Sequence, residues 1–225
     1  MTKLKICGLR DADNSLVAAG SGADYLGFNF VPGVRRQLLV DEAHAVIDDF
    51  RDRREGTLPG LVGLFADQSA DEVNRAVAVC GLDFAQLCGQ EPRDYWRLIE
   101  VPVIKMVKVR DEGDRDRAVA GTIRGVEEVV ADGHRVLLDK YEAGAKGGTG
   151  KTFDWRIAEE VAERYDFLLA GGLTPENVRR AIDEVSPWGV DVSSGIETGG
   201  VKDPAKITAF AAQVKGVAGA NRETT

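Results

Sequence analysis

The sequence predicts an α/β protein in which eight parallel strands, each followed by a helix, close into one barrel. Three observations carry this prediction: short apolar runs alternate with longer helical segments, eight such pairs are present, and 225 residues is the length of one barrel domain. We therefore expect a single-domain (β/α)8 TIM barrel over residues 1–216, with residues 217–225 as a disordered tail because they are small and polar.

The first four strands are short apolar runs, predicted at residues 4–7, 25–30, 61–65 and 82–87. The helices between them have recognisable ends. Gly20-Ser-Gly22 ends a helix over 13–20, Asp41 caps a helix over 41–54, and the capping box Ser69-Ala-Asp-Glu72 opens a helix over 69–79. A fourth helix is predicted over 92–100.

The second half repeats the pattern, with strands predicted at residues 103–107, 135–139, 167–170 and 189–192. The helices that follow them are predicted at residues 114–130, 154–164, 175–185 and 203–214. Pro175 suits the first position of its helix, where the missing N–H has no intrahelical partner. The alternation therefore extends to the last helix.

A doubly wound open sheet is the structural alternative to the barrel. It would normally have fewer strands or a nucleotide-binding fingerprint, and the sequence has no such fingerprint. The Gly-rich segment Gly144–Lys151 lacks the spacing of a phosphate-binding P-loop. The barrel is therefore favoured.

Composition excludes several functional classes. A formal net charge of −8, from 37 acidic and 29 basic residues, argues against a nucleic-acid partner. Three cysteines without C-x-x-C spacing and only two histidines disfavour a disulfide scaffold and a metal site. No apolar run approaches the roughly 20 residues of a membrane span, and the first strand follows without a signal peptide. We expect a cytoplasmic protein with no metal and no membrane partner.

Function in such a barrel belongs to the carboxyl ends of the strands and the loops that follow. Gly171-Gly172 follows the seventh strand and Ser193-Ser194-Gly195 the eighth, where barrels often bind phosphate through backbone N–H groups. The alternative is that both are only tight turns. Their coincidence at these two strands favours a phosphate site. Other strand-end candidates are Asn29, Asp67, Gln86, and Lys105 or Lys108.

Three side chains at strand ends have two interpretations each. Cys7 ends the first strand and is either a buried filler or a nucleophile or base. Lys5 is not expected to help it, because the two would face inward together only if Lys5 were buried near the bottom of the barrel. Asp139 is either a general acid or a structural partner of Lys140 or a loop amide. Arg36 is either an anion-binding residue or a solvated surface arginine.

Several segments together resemble the phosphoribosylanthranilate isomerase family of tryptophan biosynthesis. The most specific are Lys5-Ile-Cys-Gly8 and Gly147-Gly-Thr-Gly-Lys-Thr-Phe-Asp-Trp155. The other segments, in family order over residues 3–215, are Gly22–Phe28, Val62–Phe65, Asp67-Gln68, Leu169–Asn177 and Asp191–Glu197.

The resemblance implies an isomerase that performs the Amadori rearrangement of N-(5'-phosphoribosyl)anthranilate, a small phosphorylated substrate, without a cofactor. It implies that Cys7 is the general base and Asp139 the general acid. Arg36 then holds the anthranilate carboxylate, and Asp191 contacts the substrate. The implied phosphate ligands are Gly148, Gly150, Gly171, Gly172, Ser193, Ser194 and Gly195.

The sequence departs from the family pattern at a few positions. Cys88 stands where the family usually has histidine, Asn29 replaces an apolar residue, and Gln37 stands where tyrosine is frequent. Two other functions remain as hypotheses. A histidine-pathway isomerase is disfavoured because it would have aspartate in place of Cys7, and a non-catalytic phosphosugar-binding barrel is disfavoured because Cys7 and Asp139 are both present. A monomer is favoured over a homodimer, since the outer helices show no second apolar stripe.

Overall fold

Eight parallel strands form a closed barrel in the computed structural model, which describes residues 1–110, 113–140 and 152–216. The strands lie in chain order around the ring, and the last pairs with the first. Their bounds are β1 Lys3–Leu9, β2 Tyr25–Asn29, β3 Gly60–Phe65, β4 Phe84–Leu87, β5 Val103–Val109, β6 Arg135–Lys140, β7 Phe167–Leu169 and β8 Gly189–Val192. The predicted fold class is confirmed.

A helix follows each strand and packs on the outside of the ring. The helices are α1 Ala12–Gly20, α2 Val40–Arg53, α3 Ala70–Cys80, α4 Arg93–Trp96, α5 Arg115–Ala131, α6 Trp155–Ala162, α7 Val178–Val185 and α8 Pro204–Lys215. The capping box of α3 is present, with Ser69 and Glu72 each accepting from the other's backbone N–H. Asp114, Asp154 and Asp203 cap α5, α6 and α8 in the same way through their side chains.

Two of the predicted helices were wrong in extent. The helix expected over residues 92–100 is a single turn, Arg93–Trp96. The helix expected from Pro175 begins at Val178, because the Asn177 side chain accepts from the N–H of Thr174 at 2.8 Å and holds Pro175 in a preceding turn. A short hairpin between β8 and α8, formed by β9 Glu197–Thr198 and β10 Val201–Lys202, was not predicted.

The core consists of two apolar layers separated by the sheet. Side chains on the outer face of the strands pack against the helices, with Ile6, Phe28 and Leu138 fully buried there. Alternate side chains, among them Leu64, Met106 and Leu168, fill the inside of the barrel. Among the described residues, the cleft that reaches this inner layer opens at the carboxyl ends of the strands.

Asp24, in the loop before β2, connects the first strand to the last helix. Its carboxylate accepts from the ammonium groups of Lys3 and Lys215 at 2.8 and 2.7 Å, and from the N–H of Leu4 at 2.9 Å. This single side chain therefore joins β1, the loop before β2 and the end of α8.

Within the described residues, none of the helices is both long and apolar enough to cross a membrane.

Candidate active site

The carboxyl ends of the strands surround one cleft, called the main cleft below, of about 710 Å³ including its open mouth. Every described residue that the family resemblance implied for the site lines it: Cys7, Arg36, Asp139, Gly171, Gly172, Asp191, Ser193, Ser194 and Gly195. Asn29, Gln86 and Cys88 also line it. Gly148 and Gly150 lie outside the described residues. The fold therefore brings together side chains that are up to 188 positions apart in sequence, from Cys7 to Gly195.

Cys7 lies inside the barrel near the end of β1, with 4% of its surface exposed. Its paired residue on β2 is Gly27, where an added Cβ would lie 3.2 Å from the Cys7 sulfur. The pairing of β1 with β2 is irregular after Cys7, where Gly8 has a φ of +75°. A side chain at Gly8 would collide with Arg36, so the Cys7-Gly8 pair leaves room for both the thiol and the arginine.

Lys5 corrects one expectation from the sequence. It is fully buried and faces inward like Cys7, and its ammonium nitrogen is 2.7 Å from Oδ1 of Asp191 on β8. Burial opposes its charge, but the charge of Asp191 and the hydrogen bond to Asp191 raise the pKa of Lys5. A protonated lysine therefore lies inside the barrel close to Cys7. This differs from the expectation that Lys5 does not help the cysteine.

The ionisation of Cys7 reflects two opposing effects. Burial raises the pKa of the Cys7 thiol above its usual value of 9.0, while the positive charges of Lys5, Lys202 and Arg36 act to lower it. The net direction is upward. The thiol is therefore mostly protonated at neutral pH, and any thiolate that forms is stabilised by nearby cations.

Asp139 ends β6, and only β7 and β8 separate that strand from β1 in the ring. Its carboxylate accepts from the N–H of Lys140 at 2.8 Å, which is the loop-amide contact anticipated as an alternative. The residue is nevertheless partly exposed and lines the main cleft. The structural role and access to a ligand are thus compatible.

The turn after β7 has a backbone that only glycine adopts readily. Gly171 and Gly172 have φ values of +88° and +64°. The turn is held from behind by Asn177, whose side-chain amide donates to the carbonyl of Gly172 at 2.9 Å. A Cβ on Gly195, in the turn after β8, would overlap the carbonyl oxygen of Leu173. The two turns therefore pack directly against each other and present their backbones to the main cleft.

Arg36 is held in place by Glu197, a residue for which the sequence predicts no separate role. The Nε and Nη2 atoms of Arg36 donate to the two carboxylate oxygens of Glu197 at 2.6 and 3.0 Å. Burial acts to raise the pKa of Glu197, but hydrogen bonds from Arg36 and Lys202 outweigh it and lower the pKa. Glu197 ends the segment Asp191–Glu197, and its position beside three cationic side chains was not visible in sequence.

The wall opposite the glycine turns is formed by β4. Gln86 is buried there, and its amide nitrogen lies 3.3 Å from the sulfur of Cys88. Burial raises the pKa of Cys88 to about 12, although the contact with Gln86 and nearby lysines act to lower it. The amide oxygen of Gln86 has no hydrogen-bond partner among the described residues. Cys88 is therefore a neutral thiol where the family usually has an imidazole.

Two other strand-end candidates do not line the main cleft. Lys105 is buried outside it, where its ammonium group donates to Glu91 at 2.6 Å and to the carbonyl of Gly89 at 2.8 Å. Asp67 accepts from the N–H of Gln90 at 2.6 Å and has a φ of +64°. Both residues fasten the loops that follow β3 and β4.

Comparison with known proteins shows one family over nearly the whole chain. Residues 4–213 match the family model described as N-(5'phosphoribosyl)anthranilate (PRA) isomerase. A curated N-(5'-phosphoribosyl)anthranilate isomerase of Dehalococcoides mccartyi is 40% identical over 96% of both chains. Another, of Roseiflexus castenholzii, is 42% identical over 96% of this chain and 99% of its own.

Solved structures give the same answer. Phosphoribosyl anthranilate isomerase of Thermotoga maritima is 32% identical, with a TM-score of 0.81 over 96% of this chain and 100% of that one. A second structure, of an isomerase in complex with reduced 1-(o-carboxyphenylamino)-1-deoxyribulose 5-phosphate, is 31% identical, with a TM-score of 0.78 at the same coverage. A family model that spans nearly the whole chain and relatives at this identity leave one conclusion: the chain is a member of the N-(5'-phosphoribosyl)anthranilate isomerase family.

Proposed function

We propose that this enzyme of tryptophan biosynthesis converts N-(5'-phosphoribosyl)anthranilate into 1-(2-carboxyphenylamino)-1-deoxy-D-ribulose 5-phosphate by general acid–base catalysis. The observation that carries the proposal is that Cys7 and Asp139 line one cleft together with two glycine-containing turns. The related isomerase that is bound to a reduced form of this product supports the substrate class, a small phosphorylated compound.

The first step is ring opening. Asp139 donates a proton to the ring oxygen of the ribose as the C1'–O bond breaks, and the anthranilate nitrogen supplies the electron pair that forms an iminium ion. The iminium makes the C2' proton acidic, and the Cys7 thiolate removes it to give an enolamine. Tautomerisation of the enolamine gives the ketone. Because the substrate's own nitrogen accepts the electrons, the reaction needs no cofactor.

The thiolate required for this step forms against the effect of burial, which raises the pKa of Cys7. The fully buried ammonium group of Lys5 opposes that effect. In the proposed complex Arg36 holds the anthranilate carboxylate, and Asp191 contacts the sugar near the reacting carbons. The backbones of Gly171 and Gly172 and of Ser193–Gly195 hold the phosphate.

The same proposal extends to the assembly of the protein. Residues 1–216 form one catalytic domain that acts as a monomer in the cytoplasm. The exposed large apolar side chains of the described chain, such as Leu58, Val79 and Val130, lie on different elements and give no continuous apolar face. The buried thiols of Cys7, Cys80 and Cys88 are all free, as is usual in a reducing compartment. Light scattering on the purified chain measures the mass.

Turnover is tested by the fluorescence of the anthranilate group, which falls as the substrate converts to product. We expect the purified chain to lower this signal at a rate proportional to its concentration, with no added metal or redox cofactor. An unchanged signal, with tight binding of the reduced product analogue, would instead favour a phosphosugar-binding protein without catalysis.

A further inference from the structure

Glu197 receives hydrogen bonds from three cationic side chains although it does not line the main cleft. Its carboxylate accepts from Arg35, from Arg36 and from Lys202, the last at 2.8 Å. Only 5% of the Glu197 side chain is exposed. A buried carboxylate with this many charged donors is held in one position, because moving it would leave several charges unpaired.

Glu197 takes two of the five N–H donors of Arg36, and no other acceptor among the described residues contacts the remaining three. A guanidinium group has five N–H bonds, arranged as a side fork formed by Nε and one terminal nitrogen and an end fork formed by the two terminal nitrogens. Glu197 occupies the side fork. Among the described residues no acceptor meets Nη1, and Arg36 lines the main cleft. The end fork can therefore take a second carboxylate in a bidentate contact.

Lys202 links Glu197 to the turn after β8. Its ammonium group donates to the carbonyl of Ser193 at 2.8 Å as well as to Glu197. Burial lowers the pKa of Lys202, although the bond to Glu197 acts to raise it. The Glu197 carboxylate is thus anchored to the same turn that we propose for the phosphate.

We propose that Glu197 is a positioning residue for the substrate's carboxylate, acting through Arg36 by holding its side fork so that its end fork faces the main cleft. This inference rests on the proposed function, since it names the part of that substrate which Arg36 binds. A positioning role and a purely electrostatic role predict opposite effects on substrate binding. If Glu197 acted only by its negative charge, removing that charge would strengthen the binding of an anionic substrate, whereas loss of positioning weakens it.

The test is a double-mutant cycle with Glu197→Gln, Arg36→Met and the double variant. Glu197→Gln keeps the shape of the side chain and loses the charged bidentate contact. We expect KM for the substrate to rise about tenfold and kcat to change less than about threefold. In the Arg36→Met background, Glu197→Gln should have little further effect on KM, because its target is gone. Glu184→Gln, a half-exposed partner of Arg180 on α7, serves as the control and should match the wild type.

The dissociation constant of the reduced product analogue, measured by titration on the same four proteins, gives a readout that does not depend on turnover. An inactive wild type that shows the expected pattern of binding would reject the proposed function and keep the role of Glu197. An active wild type with equal effects of Glu197→Gln in both backgrounds, or with a lower KM in Glu197→Gln, would overturn the inference. If Glu197→Gln folds poorly, Glu197→Asp retains the charge one methylene further away and should show the same rise in KM.

Discussion

The ammonium group of Lys5 lies 2.7 Å from a carboxylate oxygen of Asp191, and the lysine side chain is completely buried inside the barrel. The pair connects β1 with β8 across the closing seam of the ring. Burial raises the pKa of Cys7 and the charge of Lys5 acts to lower it, so the pair also affects the ionisation of the proposed base. The sequence motif Lys5-Ile-Cys-Gly8 thus places Lys5 and Cys7 on one face of a strand, both buried inside the barrel.

Replacing Lys5 should move the pH dependence of catalysis. The thiolate is the active form of the proposed base, so kcat/KM of the wild type should rise with pH as the Cys7 thiol of the free enzyme deprotonates. Lys5→Met removes a positive charge that lowers the pKa of Cys7, so this rise should shift upward by about one pH unit or more. The measurement is a profile of kcat/KM against pH. Lys105→Met is the matched control, since it breaks another buried ion pair, with Glu91, away from the main cleft; an equal shift there would contradict the assignment.

Cys7→Ala and Asp139→Asn should each abolish measurable turnover. Loss of a general acid or base lowers kcat by about 10²–10⁴-fold, whereas contacts to the phosphate remain in both variants. The reduced product analogue should therefore still bind to each, as measured by titration. Cys80→Ala is the control for loss of a buried thiol, because Cys80 is the last residue of α3, its sulfur contacts the carbonyl of Val40 in α2, and it lies outside the main cleft. Near-wild-type rates in either of the first two variants would refute their roles.

Gln86 should show a trade-off between stability and substrate binding. Its buried amide oxygen has no hydrogen-bond partner among the described residues, and an unpartnered buried acceptor destabilises the folded state by about 1–3 kcal/mol. Gln86→Met should therefore raise the free energy of unfolding by about 1 kcal/mol, and should raise KM if that oxygen accepts from a substrate N–H or O–H. Urea titration and steady-state kinetics measure the two effects. Gln68→Met is the matched control and should lose stability, since both ends of Gln68 are hydrogen-bonded. A loss of stability in Gln86→Met would count against this interpretation.

Asp24 should make stability depend on acid. Burial acts to raise its pKa, but hydrogen bonds from Lys215 and Lys3 prevail, and the folded-state pKa lies below the usual 3.8. A lowered pKa gives stability that is complete above the unfolded value of about 3.9 and is lost as pH falls through the folded value. Asp24→Asn should therefore lower the free energy of unfolding at pH 7 by about 1–2 kcal/mol, with a smaller difference at pH 3. In Asp13→Asn, which alters an exposed pair, no such pH-dependent difference is expected.

The barrel was predictable because its information is local. Each strand is a short apolar run bounded by turn residues, and most helices carry their own caps, such as Ser69 with Glu72. The predicted extent of α7 was wrong because a second local signal competed with the proline. Asn177 holds the chain in a turn ahead of α7 and delays that helix beyond the proline that seemed to open it.

The site was predictable at strand ends and less so below and behind them. Lys5 was discounted because hydropathy alone gives no reason to bury a lysine, and its partner Asp191 is 186 residues away. Glu197 was recognisable only as part of a motif, because its contact with Arg36 joins residues 161 positions apart. Pairings of this kind are created by closure of the ring, and composition or spacing carries no trace of them.

The seam between β1 and β8 also has a kinetic consequence. The strand that carries Cys7 pairs with β2, which follows it closely in sequence, but the charge partner of Lys5 lies on the eighth strand. Contacts of such long sequence separation form late, because a large loop must close before they are gained. A refolding chain in which only the first seven strands are in place still lacks Asp191 beside Lys5. It also lacks Ser193 and Ser194 of the turn after β8. Recovered turnover therefore reports completion of the ring, and should lag behind the spectroscopic return of helix during refolding.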